Sequence, residues 1–155
     1  MDGVSRDEIR DYVSHVRRND FSPYTFPDSW WNLLLHPDSW QGIDRLQTSG
    51  FKCVALSNGS ADLLAYVSDA GGVYWGWIVD LAEHRVYKPH VDAYRTVEKD
   101  LGFKPQETLM VTANPTFGDI EGSAAIGMPS QVIRHPGAPQ TIIELAEMLK
   151  AKVAE

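Results

Sequence analysis

Hydrophobic and polar residues alternate with two different periodicities along the chain, and the periodicity changes near residue 50. Before it, apolar residues recur at helical spacing over residues 5–19. A proline-interrupted stretch follows, and shorter helices are predicted over residues 30–35 and from 38 or 39 to about 48. We therefore expect residues 1–38 to form a helical, aromatic-rich segment that precedes a different kind of structure.

From residue 51 onward, short apolar runs alternate with helical stretches. Strands are predicted over residues 51–56, 77–79, 108–112 and 130–133, and helices over residues 60–70, 91–101, 120–126 and 140–153. Strands that alternate with helices imply right-handed crossovers and a parallel sheet covered on both faces. Residues 39–155 are therefore predicted to be an α/β core, whose site lies at the carboxyl ends of the strands.

Polar side chains of specific types follow three consecutive predicted strands. In chain order they are Ser57, Asn58, Lys88, Thr112, Asn114 and Asp119. A hydroxyl, two amides, a cation and a carboxylate at one sheet edge suit an anionic substrate, and Asp119 could hold a metal or orient a water molecule.

Each of these residues also has a purely structural interpretation. Ser57 and Asn58 precede a glycine and are typical of a turn, and a lysine in a loop is usually solvated. Asn114 and Asp119 could be turn and helix-cap residues. The order of the polar types at three strand ends favours a site over these separate explanations.

Composition narrows the possible functions. The chain has 155 residues, a formal net charge of −7 and a single cysteine, Cys53. The negative charge argues against nucleic acid or an anionic membrane as a partner, because phosphates need clustered cations. No run approaches the roughly 20 apolar residues of a membrane span, and the N-terminus does not resemble a signal peptide. We expect a soluble, cytoplasmic protein in which Cys53 belongs to the core.

Three segments at these strand ends resemble motifs of the haloacid dehalogenase superfamily. They are LSNGS at 56–60, VYKP at 86–89 and VTANPTFGDIEGSAAIGM at 111–128, within a similarity that covers residues 39–150. Ser-Asn-Gly-Ser after the strand, and Tyr94 six residues beyond Lys88, are similar to the 2-haloacid dehalogenase branch. The resemblance implies a Rossmann-like, three-layer α/β fold.

The resemblance also implies a role for each candidate residue. Ser57 and Asn58 would bind the substrate carboxylate, while Lys88 and Tyr94 would support the nucleophile. Thr112 and Asn114 would occupy the polar positions of the last motif, and Asp119 would activate the hydrolytic water. The separation of Asn114 from Asp119 approaches that of the two metal-binding acids of the phosphatases, so Mg²⁺ at Asp119 is an alternative. An asparagine in place of the first acid weakens that alternative.

The family's nucleophilic aspartate, at the end of an N-terminal apolar strand, is expected to be missing. That first strand would lie centrally, between those ending at Ser57 and Asn114. Without it, two open edges must be satisfied by each other, by another part of the chain or by a partner. An aromatic cluster could pack over the sheet as part of a cap or form a dimer face. Its members are Phe21, Tyr24, Phe26, Trp30, Trp31 and Trp40.

These features predict a haloacid dehalogenase-like member of a hydrolase family with impaired or no catalysis. The alternatives are a non-catalytic binding or self-assembly module, and a fragment of an active 2-haloacid dehalogenase or phosphatase. The expected partners are a small anionic molecule and further copies of the chain.

Overall fold

A computed structural model describes residues 32–153 of the chain. The helices are α1 (Ser39–Thr48), α2 (Ala61–Ala70), α3 (Val91–Leu101), α4 (Asp119–Ala124) and α5 (Ile142–Val153). The strands are β1 (Val54–Ser57), β2 (Trp77–Asp80), β3 (Met110–Thr112) and β4 (Ser130–Val132), and a 3-10 turn spans Pro105–Glu107. Among these described helices, none is long and apolar enough to cross a membrane.

The predictions for residues 1–31 lie outside the described residues. These predictions are the helix over residues 5–19 and the aromatic residues up to Trp31, so the boundary of a helical segment at residue 38 stays a prediction. The short helix predicted over residues 30–35 is wrong for its described part, where residues 33–36 are irregular. Leu33 and Leu34 are 54% and 94% exposed, and only Leu35 packs against the core there, so the segment has too little buried apolar surface to stabilise a helix.

Local capping explains why α2 and α3 agree so closely with the sequence pattern. The hydroxyl of Ser60 accepts a hydrogen bond from the amide of Leu63 at 3.2 Å, which caps the first turn of α2. Gly102 ends α3 in the left-handed conformation, with φ of 75°. The bounds of α3 are those predicted.

The strand β1 begins three residues later than its apolar run predicts. The amide of Phe51 donates to the carbonyl of Leu46 at 3.0 Å, so the first part of the run closes the end of α1. Cys53 is buried with Ile43, Leu46 and Val73 against α1 and α5. Burial raises the pKa of the Cys53 thiol to about 11, which identifies it as a core thiol rather than a nucleophile.

The four strands form two separate parallel pairs. In the first, Val54 of β1 aligns with Trp77 of β2, and in the second Met110 of β3 aligns with Ser130 of β4. Within residues 32–153, no backbone ladder joins β1 to β3, so these two strands do not close the expected gap themselves. Leu56 of β1 nevertheless packs against the apolar cluster that contains Met110, which gives the two pairs a shared hydrophobic contact.

Asp38 joins three distant parts of the chain. Its carboxylate accepts from the guanidinium of Arg134 at 2.6 Å and from the amide of Ile142 at 2.7 Å. Burial by itself raises the pKa of Asp38, but the hydrogen bonds and the charge of Arg134 outweigh it and hold the pKa below 3.8. The predicted cap of α1 is therefore used for a long-range contact.

We expect this contact to make the stability of the fold sensitive to acid. Since the pKa of Asp38 is lower in the folded state than its ordinary value of 3.8, its contribution is complete above that pH and disappears as the pH falls through the folded value. Asp38→Asn should lower the free energy of unfolding by about 2 kcal/mol at neutral pH. The difference from the parent protein should shrink below 3.8.

Urea unfolding across this pH range measures both quantities. Asp44→Asn is the matched control, since Asp44 lies in α1, which begins directly after Asp38, but is exposed. A deficit for Asp38→Asn that persists unchanged in acid would contradict the assignment.

Candidate active site

The centre of the site is the carboxylate of Asp119, which lies at the start of α4 and is buried. The ammonium of Lys88 is 3.0 Å from Oδ1 of Asp119 and 3.4 Å from Oδ2. The phenol of Tyr94 donates to Oδ1 at 2.9 Å, and the hydroxyl of Thr112 donates to Oδ2 at 3.0 Å. Four of the predicted site residues are thus brought together from four parts of the fold.

Two glycines of the last motif make room for this arrangement. Gly118 precedes α4 with φ of 78°, and a Cβ at this position would lie 2.8 Å from Cβ of Pro89. At Gly122, a Cβ would lie only 2.2 Å from Cε2 of Tyr94. The loop between β2 and α3 that carries Lys88, called the lysine loop below, can therefore approach α4 closely, and so can α3, because residues 118 and 122 have no side chain.

Tyr94 is fixed in its neutral form. Burial raises the pKa of its phenol well above the ordinary value, and the hydrogen bond to Asp119 and the charges of Asp119 and Glu121 raise it further. The phenol consequently keeps its proton at any physiological pH. In this environment Tyr94 acts as a hydrogen-bond donor to Asp119 and not as a base.

The two polar residues at the end of β1 have different partners: Asn58 bonds to the loop that carries Lys88, and Ser57 bonds to the turn that follows it. The side-chain amide of Asn58 donates to the carbonyl of Lys88 at 2.9 Å, and its oxygen accepts from the amide of Lys88 at 2.8 Å. The hydroxyl of Ser57 accepts from the amide of Gly59 at 3.1 Å. An acceptor hydroxyl keeps its own hydrogen, so Ser57 can still donate to a ligand.

Asn114 is turned toward its own loop. Its side-chain oxygen accepts from the amide of Thr116 at 3.1 Å and from the hydroxyl of Thr116 at 2.8 Å. Its backbone amide donates to the hydroxyl of Thr112 at 3.2 Å, which orients the Thr112 hydroxyl toward Asp119. The structure therefore gives Asn114 the geometry of a turn residue that supports the cluster through its backbone.

A family model described as haloacid dehalogenase-like hydrolase matches residues 10–127. The chain belongs to this family.

Comparison with known proteins places this haloacid dehalogenase-like chain near the 2-haloacid dehalogenases. It is 38% identical over 84 residues to an (S)-2-haloacid dehalogenase of Xanthobacter autotrophicus, a match that covers 53% of this chain and 32% of the relative. It is 28% identical over 115 residues to (S)-2-haloacid dehalogenase 1 of Pseudomonas sp. strain CBS-3, covering 73% and 50%. The matched region thus spans between a third and a half of these curated relatives.

Solved structures confirm the predicted α/β fold. The chain matches a defluorinating L-2-haloacid dehalogenase with a TM-score of 0.70 and 24% identity, covering 93% of this chain and 69% of the other. It also matches a phosphatase of the same family from Thermococcus onnurineus, with a TM-score of 0.61 and 18% identity, covering 89% and 64%.

The described residues of this family member do not fit a magnesium site. Both oxygens of Asp119 accept hydrogen bonds, and one of the donors is the cationic Lys88. The side-chain oxygen of Asn114 points to Thr116 instead. Within residues 32–153, no three His, Cys, Asp or Glu side chains are grouped as metal ligands. A hard divalent cation needs several free oxygen ligands, so the arrangement favours chemistry at the lysine.

Asp119, with Tyr94 and Thr112 bonded to it, holds the ammonium of Lys88 at a fixed position near the end of β1. Lys88 has a side chain that is only 17% exposed, and Asp119 compensates the cost of burying its charge. Thr112 and Tyr94 donate to the same carboxylate and fix its orientation. Three donors therefore hold the carboxylate, and within residues 32–153 the ammonium of Lys88 is the cationic group that pairs with it.

The structural role of Gly118, Gly122 and Pro89 does not follow from the polar pattern. Their signal in the sequence is the small-residue character of the segment around α4 and a proline directly after Lys88. That signal indicates close packing but does not identify Tyr94 as the neighbour of residue 122.

Proposed function

We propose that this chain binds a small carboxylate of the 2-haloacid class at Lys88 and Ser57. The observation that carries the proposal is the ammonium of Lys88, which Asp119 holds 3.0 Å away at the carboxyl edge of the strands. The names of the curated relatives, (S)-2-haloacid dehalogenases, support this class of substrate. A carboxylate ligand would share the positive charge of Lys88 with Asp119 and would accept from the hydroxyl of Ser57.

The hydrogen-bond capacity of the site supports such a ligand. An ammonium has three hydrogens, and Asp119 offers only two oxygens to it. Within the part of the chain that the structure describes, a third hydrogen therefore remains for an anion. Because Lys88 is largely buried, its interaction with that anion is screened less by water than it would be at the surface.

We also propose that catalysis by this chain is weak. Displacement of a halide requires an attacking carboxylate, and among residues 32–153 the carboxylate paired with Lys88 is Asp119. The lone pairs of Asp119 accept from Lys88, Tyr94 and Thr112, which leaves them poorly suited to attack a carbon atom. This supports binding without efficient turnover.

The test combines a titration with an assay for released halide. An NMR titration with (S)-2-chloropropionate should show saturable shifts at residues around Lys88, and Lys88→Met should weaken binding by about tenfold or more. Chloride release should stay far below the about 10 s⁻¹ of an ordinary enzyme. Lys150→Met is the control, because Lys150 is exposed on α5.

Anion binding at Lys88 and weak catalysis can each be refuted without the other. Binding that is unchanged by Lys88→Met would refute the assigned anion site. Ordinary turnover, lost on Asp119→Asn, would refute the proposed weakness of catalysis and would favour a complete hydrolytic site.

A second candidate is that the chain is one part of a longer dehalogenase or phosphatase. The match to only 32% and 50% of two curated relatives favours it. The DNA sequence upstream of the codon for Met1 tests it, because an apolar run ending in aspartate would supply the first strand that the family resemblance implies. Self-association and a cytoplasmic location stay predictions.

A further inference from the structure

We infer that Asn58 is a positioning residue for Lys88, and that its amide sets where the ammonium lies instead of serving mainly as a substrate ligand. This inference rests on the proposed function, because it assigns the part that Asn58 plays in the anion site. It changes the role that the family resemblance implies for this residue.

The geometry is a closed ring of two hydrogen bonds. One side chain engages both backbone polar groups of Lys88, with the amide nitrogen of Asn58 donating to the carbonyl at 2.9 Å and its oxygen accepting from the N–H at 2.8 Å. The two residues are 30 positions apart in the chain. Because both bonds are to the backbone, they fix the plane of the main chain at residue 88 as well as its distance from β1.

Other contacts also hold the loop around Lys88: Pro89 lies against Gly118, Lys88 pairs with Asp119, and the amide of Val86 donates to the carbonyl of Leu81 at 3.2 Å. Lys88 lies between β2 and α3, and its neighbours Tyr87, Pro89 and His90 are all exposed, whereas Lys88 itself is half-buried. One backbone bond, from the amide of His90 to the carbonyl of Tyr87 at 3.0 Å, closes the turn locally. The bonds from Asn58 connect this turn directly to the end of β1 and, together with the attraction of Asp119, direct the lysine inward.

The same bonds reduce the capacity of Asn58 to bind an anion. A side-chain amide has two N–H donors, and one of them is used by the carbonyl of Lys88. An anion accepts hydrogen bonds, so the amide oxygen of Asn58 is of no use to it. Lys88 and Ser57 remain the stronger donors at this edge.

The rate at which individual lysines are acetylated tests the inference without requiring activity. With a limiting amount of acetic anhydride and peptide mapping by mass spectrometry, Lys88 should react slowly in the parent protein, since its side chain is largely buried and paired with Asp119. Asn58→Ala should raise the rate at Lys88 relative to Lys150 by about tenfold, because two hydrogen bonds that hold the loop are lost.

Two further variants sharpen the comparison. Asn58→Asp keeps an acceptor for the Lys88 amide but places a carboxylate against the Lys88 carbonyl, so the increase should be intermediate. Gln47→Ala is the matched control, since the side-chain amide of Gln47 also donates to a distant backbone carbonyl, that of Tyr74 at 2.8 Å, away from Lys88. It should leave the Lys88 to Lys150 ratio unchanged.

The outcomes separate this inference from the proposed function. An unchanged ratio in Asn58→Ala would overturn the inference, as would an equal rise at every lysine, which indicates a general loss of structure. A loss of (S)-2-chloropropionate binding in Asn58→Ala with an unchanged ratio would identify Asn58 as a substrate ligand and would also overturn it. If the parent protein does not bind (S)-2-chloropropionate, the proposed function fails while the lysine ratios still decide the role of Asn58.

Discussion

Gly122→Ala is expected to lower the free energy of unfolding by about 3 kcal/mol, a large effect for the addition of one methyl group. The new Cβ would lie 2.2 Å from Cε2, 2.7 Å from Cζ and 2.9 Å from the phenol oxygen of Tyr94. Tyr94 has no exposed surface, so its ring cannot turn aside into water. Either α4 moves away from α3, or the phenol leaves Asp119.

Urea unfolding measures the loss of stability, and the (S)-2-chloropropionate titration should show weaker binding in the same variant. Gly59→Ala is the matched control for stability, because a Cβ there meets other atoms only at 3.6 Å and its φ is not positive. We expect its effect to stay within about 0.5 kcal/mol. Equal stability of the two variants would contradict the close contact between residues 94 and 122.

Asp119→Asn is expected to cost about 3 kcal/mol, because it leaves the largely buried ammonium of Lys88 without a counter-charge. The substitution preserves the shape of the side chain, but Tyr94 and Thr112 donate to different oxygens of Asp119, so only one of them can still donate to the oxygen that remains. The loss therefore combines one hydrogen bond with the ion pair to Lys88. The lysine side chain in that pair is 17% exposed and the aspartate side chain is 9% exposed.

A double-mutant cycle that combines Asp119→Asn with Lys88→Met isolates the coupling energy between these two side chains. The double variant should be more stable than Asp119→Asn alone, since it removes the unpaired ammonium together with its lost partner. The exposed pair of Arg45 and Glu147, at 2.7 Å, provides a control cycle in which the coupling should not exceed about 1 kcal/mol. Equal coupling energies in the two cycles would contradict the assignment of a buried ion pair.

The sequence predicts the elements best where local interactions decide them. The bounds of α3 follow from its apolar spacing and from the glycine that ends it, and both signals act within a few residues. The start of β1 is missed because the amide of Phe51 is used by the carbonyl of Leu46. Apolar spacing cannot show how a preceding helix will end against a strand.

For the site, the sequence alone brings Lys88 and Asp119 to the same edge, because the carboxyl ends of parallel strands coincide. It does not distinguish the two asparagines, which both follow a strand. Asn58 forms hydrogen bonds with the backbone of Lys88, whereas Asn114 forms hydrogen bonds with Thr116. This difference depends on which loop lies within about 3 Å of each amide, and local sequence does not encode that.

By itself, the sequence determined the order of helices and strands, the family motifs and the edge at which the polar residues meet. The elements follow from periodicity and the common edge follows from the handedness of parallel connections, and both act within one strand–helix–strand unit. Only the tertiary structure decided that Asp119 accepts from Lys88, Tyr94 and Thr112, and that the described strands form two separate pairs. Hydrogen bonds between residues 25 or 31 positions apart depend on how closely α3, α4 and the lysine loop pack, and the missing side chain at Gly122 sets that distance.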